Sequence, residues 1–520
     1  MFLQTQIQSR SFQHWIWNEN KNKFLFWICG IIVILEFAVF KLLYPYPNFI
    51  TDSHTYLLAA INNQSISKFP IGYSKFIRLF SGLTSSHIAL ILFQYVLLQA
   101  SIFYFQMSVA FLLNLKQWIY KPLLVLSVLN PLLPYISNLI SADSIFTSLS
   151  IFWFTQLLWV LYRPTSRLLL FHSFTLLLTF SMRYNALYYP IISLSIIVIA
   201  RLPIKTKVIS ISCIGVLLST YLLSTSFEYK KLTGNLSFIP AAGWQIAGNA
   251  LAAYEQSPTG WPEEHIPDRY MELHSAITRH IDSTNPILRY FHRDLSYSYQ
   301  FEQSSPLYTF MHYRLLKDST TTPLKQWAIM AELYGDYGLH LVKQRPGDFL
   351  KHFVLPNLRY FYTPRKEFLE KYNMGKDTID HISMYWFGLK SNKSPVTNRA
   401  LQNVIAEFFQ VISAISNLVF ILGLVGTCLL GGLSTMGNYA TVVFRTTLLL
   451  WITNFTFSIF TAPIVLRHQI FPMIISYTFG GILIIYIIME AKSTSTEEFS
   501  VEEKGYPGKA ITTTLINKIK

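Results

Sequence analysis

Between residues 20 and 227 the chain carries only three acids, Glu36, Asp52 and Asp143, in a stretch dominated by apolar side chains. Ionised groups close to hydrocarbon are costly and tend to be functional. Asp52 lies in PNFITDSHTYLLAAI and Asp143 in SNLISADSIF. Two arginines stand in comparable settings: Arg183 in FSMRYNALYYP, and Arg467, followed by His468, in APIVLRHQIFP. An aspartate can act as general base toward a hydroxyl. A guanidinium fork matches the oxygens of a phosphate and stabilises one that leaves. Held together, these groups would suit transfer from a phosphate-linked donor.

Each residue also has a plainer reading. Asp52 and Asp143 can cap helices, with Ser141 beside the second. Arg183, Arg467 and His468 can be interfacial anchors whose stems lie along apolar surface. Glu36, deep in the first apolar run, suits pairing within a bundle. Asp52 and His54 have the D-x-H spacing of a metal pair, but sequence fixes no third ligand. The aromatic run RYFHRDLSYSYQFEQSSPLYTFMHY can stack on sugar rings, or form a domain core or its surface on the bilayer. Trp244 and Trp261 read as structural.

The chain that must position them has 520 residues, 52% hydrophobic and 13% charged, with a mean hydropathy of +0.34. An ordinary soluble protein is roughly 25% charged. Apolar blocks long enough to cross a bilayer as helix recur, roughly 20 residues each. Ten spans are expected, over 24–44, 87–113, 121–139, 144–162, 167–182, 186–200, 207–226, 404–430, 440–463 and 468–489. Lysine and arginine in the short connections (Lys21 and Lys23; Lys116 and Lys121; Arg163 and Arg167; Arg201, Lys205 and Lys207) then fall on one side. That side is cytoplasmic by the positive-inside rule, as are both termini. Asp52, Asp143, Arg183 and Arg467 all reach the opposite face.

The expected organisation is a membrane core over 1–226 with a large first external loop at 45–86, an extracytoplasmic domain over 227–403, a three-span segment over 404–491 and a disordered cytoplasmic tail over 492–520. The 227–403 block holds eight of the thirteen histidines and helical stretches such as PLKQWAIMAELYGDYGLHLVKQ, and is too long for a loop. The formal charge of +15 is dispersed among loops, which argues against nucleic acid as a partner. Cys29, Cys213 and Cys428 each lie in an apolar block and form neither a disulfide framework nor a zinc spacing.

TDSHTYLLAA, followed by NNQSISKFPIGYSKFIRLFSGLTSSHIALILFQ, resembles the first external loop of the GT-C glycosyltransferases, where an Asp, often with a Tyr a few residues on, precedes a proline-containing segment and the second span. SADSIFTSLSIFWF is similar to the family's acidic turn before span four, MRYNALYYP to its arginine-containing external boundary, and LRHQIFP to the arginine-containing span start of bacterial members. LYGDYGLHLVKQRPGDFLKHFVLPN is similar to helices of members with a soluble domain. The resemblance covers the membrane core and implies an α-helical polytopic fold with a mostly helical external domain. It implies transfer of a sugar from a polyprenyl-phosphate donor to an acceptor glycan, lipid or protein outside the cytoplasm.

Carried onto this chain, the resemblance makes Asp52 the base and Asp143 an auxiliary acid near the acceptor or a metal. Arg183 and Arg467, with His468, become donor-phosphate contacts, and His54, Tyr56 and Tyr184 their support. No cofactor is required; a divalent metal is optional. Ser53 follows Asp52 where mannosyl- and aminoarabinose transferases show Asp-Glu. Asp143 stands alone where oligosaccharyltransferases carry an acidic pair, and there is no WWDxG-like segment, so the subfamily stays open. The setting expected is a bacterial inner membrane. The rivals are a polymerase or ligase using a lipid diphosphate, which needs no aspartate base, and a lipid-linked glycan flippase, which would favour midplane charges and inverted repeats.

Overall fold

The structure, a computed structural model, describes residues 11–256, 266–283, 296–315, 321–393, 398–432 and 436–504. Trp261 and part of the aromatic run (residues 289–295) lie outside the described residues. Among those described there are helices, short 3-10 and π turns and three isolated β-bridges, but no strand.

Among the described residues seven helices are long and apolar enough to cross a membrane: Asn20–Leu43, His87–Leu112, Asp143–Tyr162, Ile204–Thr233, Arg399–Leu429, Asn438–Thr461 and Leu466–Lys492. This is consistent with an α-helical membrane protein. The other three expected spans are shorter. Ser166–Met182 and Tyr189–Ile199 are apolar helices of 17 and 11 residues. The segment near 121–139 is broken into Gln117–Val128, with Pro122 inside it, and Leu132–Ser137. The break falls at Asn130–Pro131, where the Asn130 side chain accepts from Leu132 N at 3.0 Å. A proline disfavours helix at the residue before it, so one apolar run becomes two pieces.

Contacts along these segments show how the chain doubles back. Lys41, near the end of the first long helix, donates to Asn138 beyond the broken segment at 3.1 Å. At the middle of the bundle Gln106 donates to Ser127 and to Thr478, both at 2.8 Å. Gln156 donates to Thr175, and Tyr439 to the Leu158 carbonyl, tying the Asp143–Tyr162 helix to two neighbours. The Trp153 indole and His172 share Ser193 in a buried knot. Each buried polar group that finds a partner avoids the cost of being left unsatisfied in an apolar interior.

The block 227–403 contributes to more than one core. Pro240–Gln256, Asp268–Ser283, Pro306–Leu315 and Pro323–Gln344 pack around Trp244, Tyr270, Tyr308, Trp327 and Tyr334. Trp244 is buried there and donates to the Trp327 carbonyl at 2.9 Å. Gly243 permits this packing: a Cβ on it would lie 1.8 Å from the Ala331 carbonyl oxygen. Leu369, Tyr372, Ile379 and Phe387 instead join the core of the membrane bundle. The last helix runs on to Lys504, past the point where polar composition predicts disorder; its glutamates and lysines are adequate helix formers. Residues 505–520 lie outside the described ones.

Candidate functional site

Two of the β-bridges act as positioning devices. Asn48 N donates to the Asn138 carbonyl at 2.8 Å and Ile140 N to the Asn48 carbonyl at 3.2 Å, pairing Asn48 with Leu139. Each side of this bridge leads, four residues on, to an aspartate: 48 to Asp52, 139 to Asp143. Arg365 N donates to the Ile464 carbonyl at 3.3 Å and Leu466 N to the Arg365 carbonyl at 2.7 Å, pairing Arg365 with Val465. Two residues on from these stand Glu367 and Arg467.

Both aspartates begin helices without capping them. Asp52 lies in the first turn of Thr51–Ile61, where Ser53 Oγ accepts from Ile50 N at 3.0 Å. Asp143 opens Asp143–Tyr162 and makes no cap bond; Ser141 Oγ donates to its Oδ2 at 2.6 Å. Both carboxylates sit at the positive end of a helix dipole and spend their oxygens on arginines. Arg467 Nη1 donates to Asp52 Oδ2 at 2.9 Å and to Asp143 Oδ2 at 3.2 Å, and its Nε donates to Glu367 Oε2 at 2.7 Å. The Arg467 guanidinium lies 5.0 Å from the Phe368 ring centroid. Its side chain is 6% exposed, and those of Asp143 and Glu367 are 1% and 8% exposed.

Arg183 enters from another side. It follows Ser166–Met182 in an extended conformation (φ −151°, ψ 146°) that turns its side chain inward. Its Nη1 donates to Asp143 Oδ1, and its Nη2 meets His468 Nε2 at 2.5 Å. A guanidinium has no acceptor, so this imidazole nitrogen must accept and His468 is neutral in this contact. Burial, and secondarily the neighbouring Arg467, push the Arg183 guanidinium down to about 10. It remains charged at neutral pH. Three carboxylates and two guanidiniums leave the cluster with a formal charge of −1.

The structure thus brings Asp52, Asp143, Arg183, Arg467 and His468 together at one end of the bundle. Tyr56, one helical turn after Asp52, is buried against Phe69 and Tyr73 and close enough to Arg183, Asp52 and Arg467 to feel their charges. Burial pushes its phenol well above the ordinary value. Tyr184 lines a narrow crevice with Ser67, Phe69, Tyr221, Tyr229 and Phe238. His54 does not join the cluster. Two positions on from Asp52 on a helix it points elsewhere; its side chain is 55% exposed and stands 4.0 Å from Asp380. The D-x-H pair is therefore not assembled, and among the described residues no group of three or more His, Cys, Asp and Glu is placed to hold a metal ion. Glu36 is separate too, accepting from Tyr95 within the bundle.

Glu367 is the member that sequence reasoning missed. It sits in TPRKEFLEKYN beside other charged residues, and nothing in that pattern distinguishes it from Glu370. The loop after the Asp52 helix is tied to the Ile204–Thr233 helix and to Pro306–Leu315 of the 227–403 block. Tyr229 donates to the Ser67 carbonyl at 2.6 Å, and Lys68 donates to Tyr308 at 2.9 Å.

No protein-family model, curated protein or solved structure matches this chain.

Proposed function

We propose that the protein is an integral-membrane glycosyltransferase of GT-C type, moving a sugar from a polyprenyl-phosphate donor to an acceptor hydroxyl on the extracytoplasmic side. The observation that carries this reading is the hydrogen bond between Asp52 and Arg467, with Arg183 in the same buried cluster at the end of an apolar bundle. Lone charges at an interface would not need each other. A carboxylate and two guanidiniums gathered where lipid headgroups lie supply a base and a phosphate clamp.

In the proposed scheme the donor's prenyl tail lies along the bundle and its phosphate meets Arg183 and Arg467. Asp52 takes the proton of the acceptor hydroxyl as its oxygen attacks the anomeric carbon. The bond from that carbon to the phosphate oxygen breaks, its electron pair stays on the phosphate, and the guanidiniums stabilise the charge. One displacement inverts the configuration. The charge is matched by arginine, so a metal is optional.

Reading the broken 117–137 segment and the two shorter apolar helices as crossings gives ten, with both ends of the chain in the cytoplasm and the cluster outside. The lysine and arginine bias of the connections supports this arrangement, and a bacterial inner membrane suits it. A second reading has one specific support. Because Asp52 is engaged by Arg467, it can be a positioning carboxylate in a lipid-diphosphate polymerase or ligase rather than a base. Transfer by Asp52→Asn separates the two: near-complete loss supports the base, and retained transfer supports the ligase.

A further inference from the structure

We propose that in the free protein the Glu367 carboxylate occupies the seat of the donor's phosphate on Arg467, and that the donor binds by displacing it. This rests on the glycosyltransferase reading above and names the subsite within it. A carboxylate presents two oxygens to a guanidinium much as a phosphate does. The cluster is already at −1, and the phosphate of a polyprenyl-phosphate sugar, esterified on both sides, adds one further negative charge. Adding an anion to a buried site of that charge is unfavourable, whereas exchanging one anion for another nearly preserves the balance.

Of the three carboxylates on Arg467, Glu367 is the one free to leave. Asp52 and Asp143 stand in the first turns of helices locked together through Asn48 and Leu139. Glu367 instead opens a single 3-10 turn, Glu367–Leu369, and has a left-handed backbone, φ 49°, as do Asn373 and Met374 further along. Such a conformation in a non-glycine residue is strained and persists only where surroundings impose it. Leu369, fully buried, and Tyr372, which donates to the Tyr46 carbonyl at 2.8 Å, hold the connection in place after the carboxylate swings out. The plainer role for Glu367 is a clasp that fastens this connection to the bundle and orients Arg467. The two roles predict opposite signs.

The test is calorimetric binding of farnesyl phosphate to the purified full-length protein in detergent, with farnesol as the control lacking phosphate. Glu367→Gln is nearly isosteric and keeps a hydrogen-bonding side chain, and Glu367→Ala removes both. The displaced-carboxylate account expects both variants to bind farnesyl phosphate at least about tenfold more tightly than wild type, with farnesol unchanged. Equal or weaker binding by the variants, while wild type binds, would overturn it and leave the phosphate reading standing. No binding by any of the three would remove the phosphate reading and this inference with it. Failure of both variants to fold would make Glu367 a clasp and also overturn the proposal.

Discussion

Asp52 Oδ2 and Arg467 Nη1 lie 2.9 Å apart although 415 positions separate the residues in the chain. One opens a short helix in the first large loop and the other a helix near the C-terminal end of the bundle. Their meeting closes the membrane core on itself. It also puts the candidate base in contact with the candidate phosphate ligand, so removing either partner has separable effects on stability and on chemistry.

Arg467→Met is expected to be severely destabilising. It would leave Asp52, Asp143 and Glu367 crowded at the same place with Arg183 alone to offset them, and breaking a buried charge network by removing one partner costs roughly 3–5 kcal/mol. Thermal unfolding in detergent should show a large drop in Tm, partly recovered at lower pH as the carboxylates protonate. An unchanged Tm would mean the network contributes little to the fold.

Arg183 gives a pH prediction. Its folded value is lowered to about 10, chiefly by burial, with Arg467 also lowering it and Tyr56, Asp52 and Glu367 raising it; Asp143 and His468 are its direct contacts. A lowered value for a base means that its charge is lost as pH rises through about 10. Binding of a phosphate-bearing probe should therefore hold between pH 7 and 9 as far as Arg183 is concerned, then fall as pH approaches 10. Arg183→Lys would keep the charge but lose the fork and weaken binding throughout. Titration of farnesyl phosphate binding against pH checks both.

Gly72→Ala tests how tightly the site is framed. A Cβ at Gly72 would lie 2.5 Å from the Ser181 carbonyl oxygen, two residues before Arg183. Backbone would have to move on one side, and overpacking of this kind costs about 1–3 kcal/mol. Both Tm and transfer activity should fall, activity by more than the stability change explains, because the shift carries Arg183 with it.

Cysteine labelling tests the ten-crossing arrangement. With Cys29, Cys213 and Cys428 replaced, single cysteines at Lys116 and Ser166 should react with an impermeant maleimide only after the cells are opened. One at Lys390 should react in intact cells. Reaction of the Ser166 variant in intact cells would mean that the broken 117–137 segment does not cross.

The sequence made part of this site legible for a physical reason. Acids are so scarce between residues 20 and 227 that Asp52 and Asp143 stand out, and Arg183 and Arg467 interrupt apolar runs in the same way. Glu367 had no such contrast, lying in a block with 17 acids, and only the Arg365–Val465 bridge reveals its partner. His54 stands apart from the cluster because positions two apart on a helix face different sides, a geometry that the D-x-H spacing does not register. The apolar run near 121–139 reads as one span because hydropathy does not register the break that Asn130 and Pro131 impose.

The most direct test of the central claim is transfer from radiolabelled polyprenyl-phosphate sugars in membranes containing wild type or Asp52→Asn at equal abundance, with endogenous lipids and envelope proteins as acceptors. General-base catalysis contributes about 10²–10⁴-fold, so the account predicts label in a product with wild type and a loss of that order with the variant. Equal transfer by both would contradict Asp52 as the base, and transfer by neither would contradict the glycosyltransferase reading for these donors.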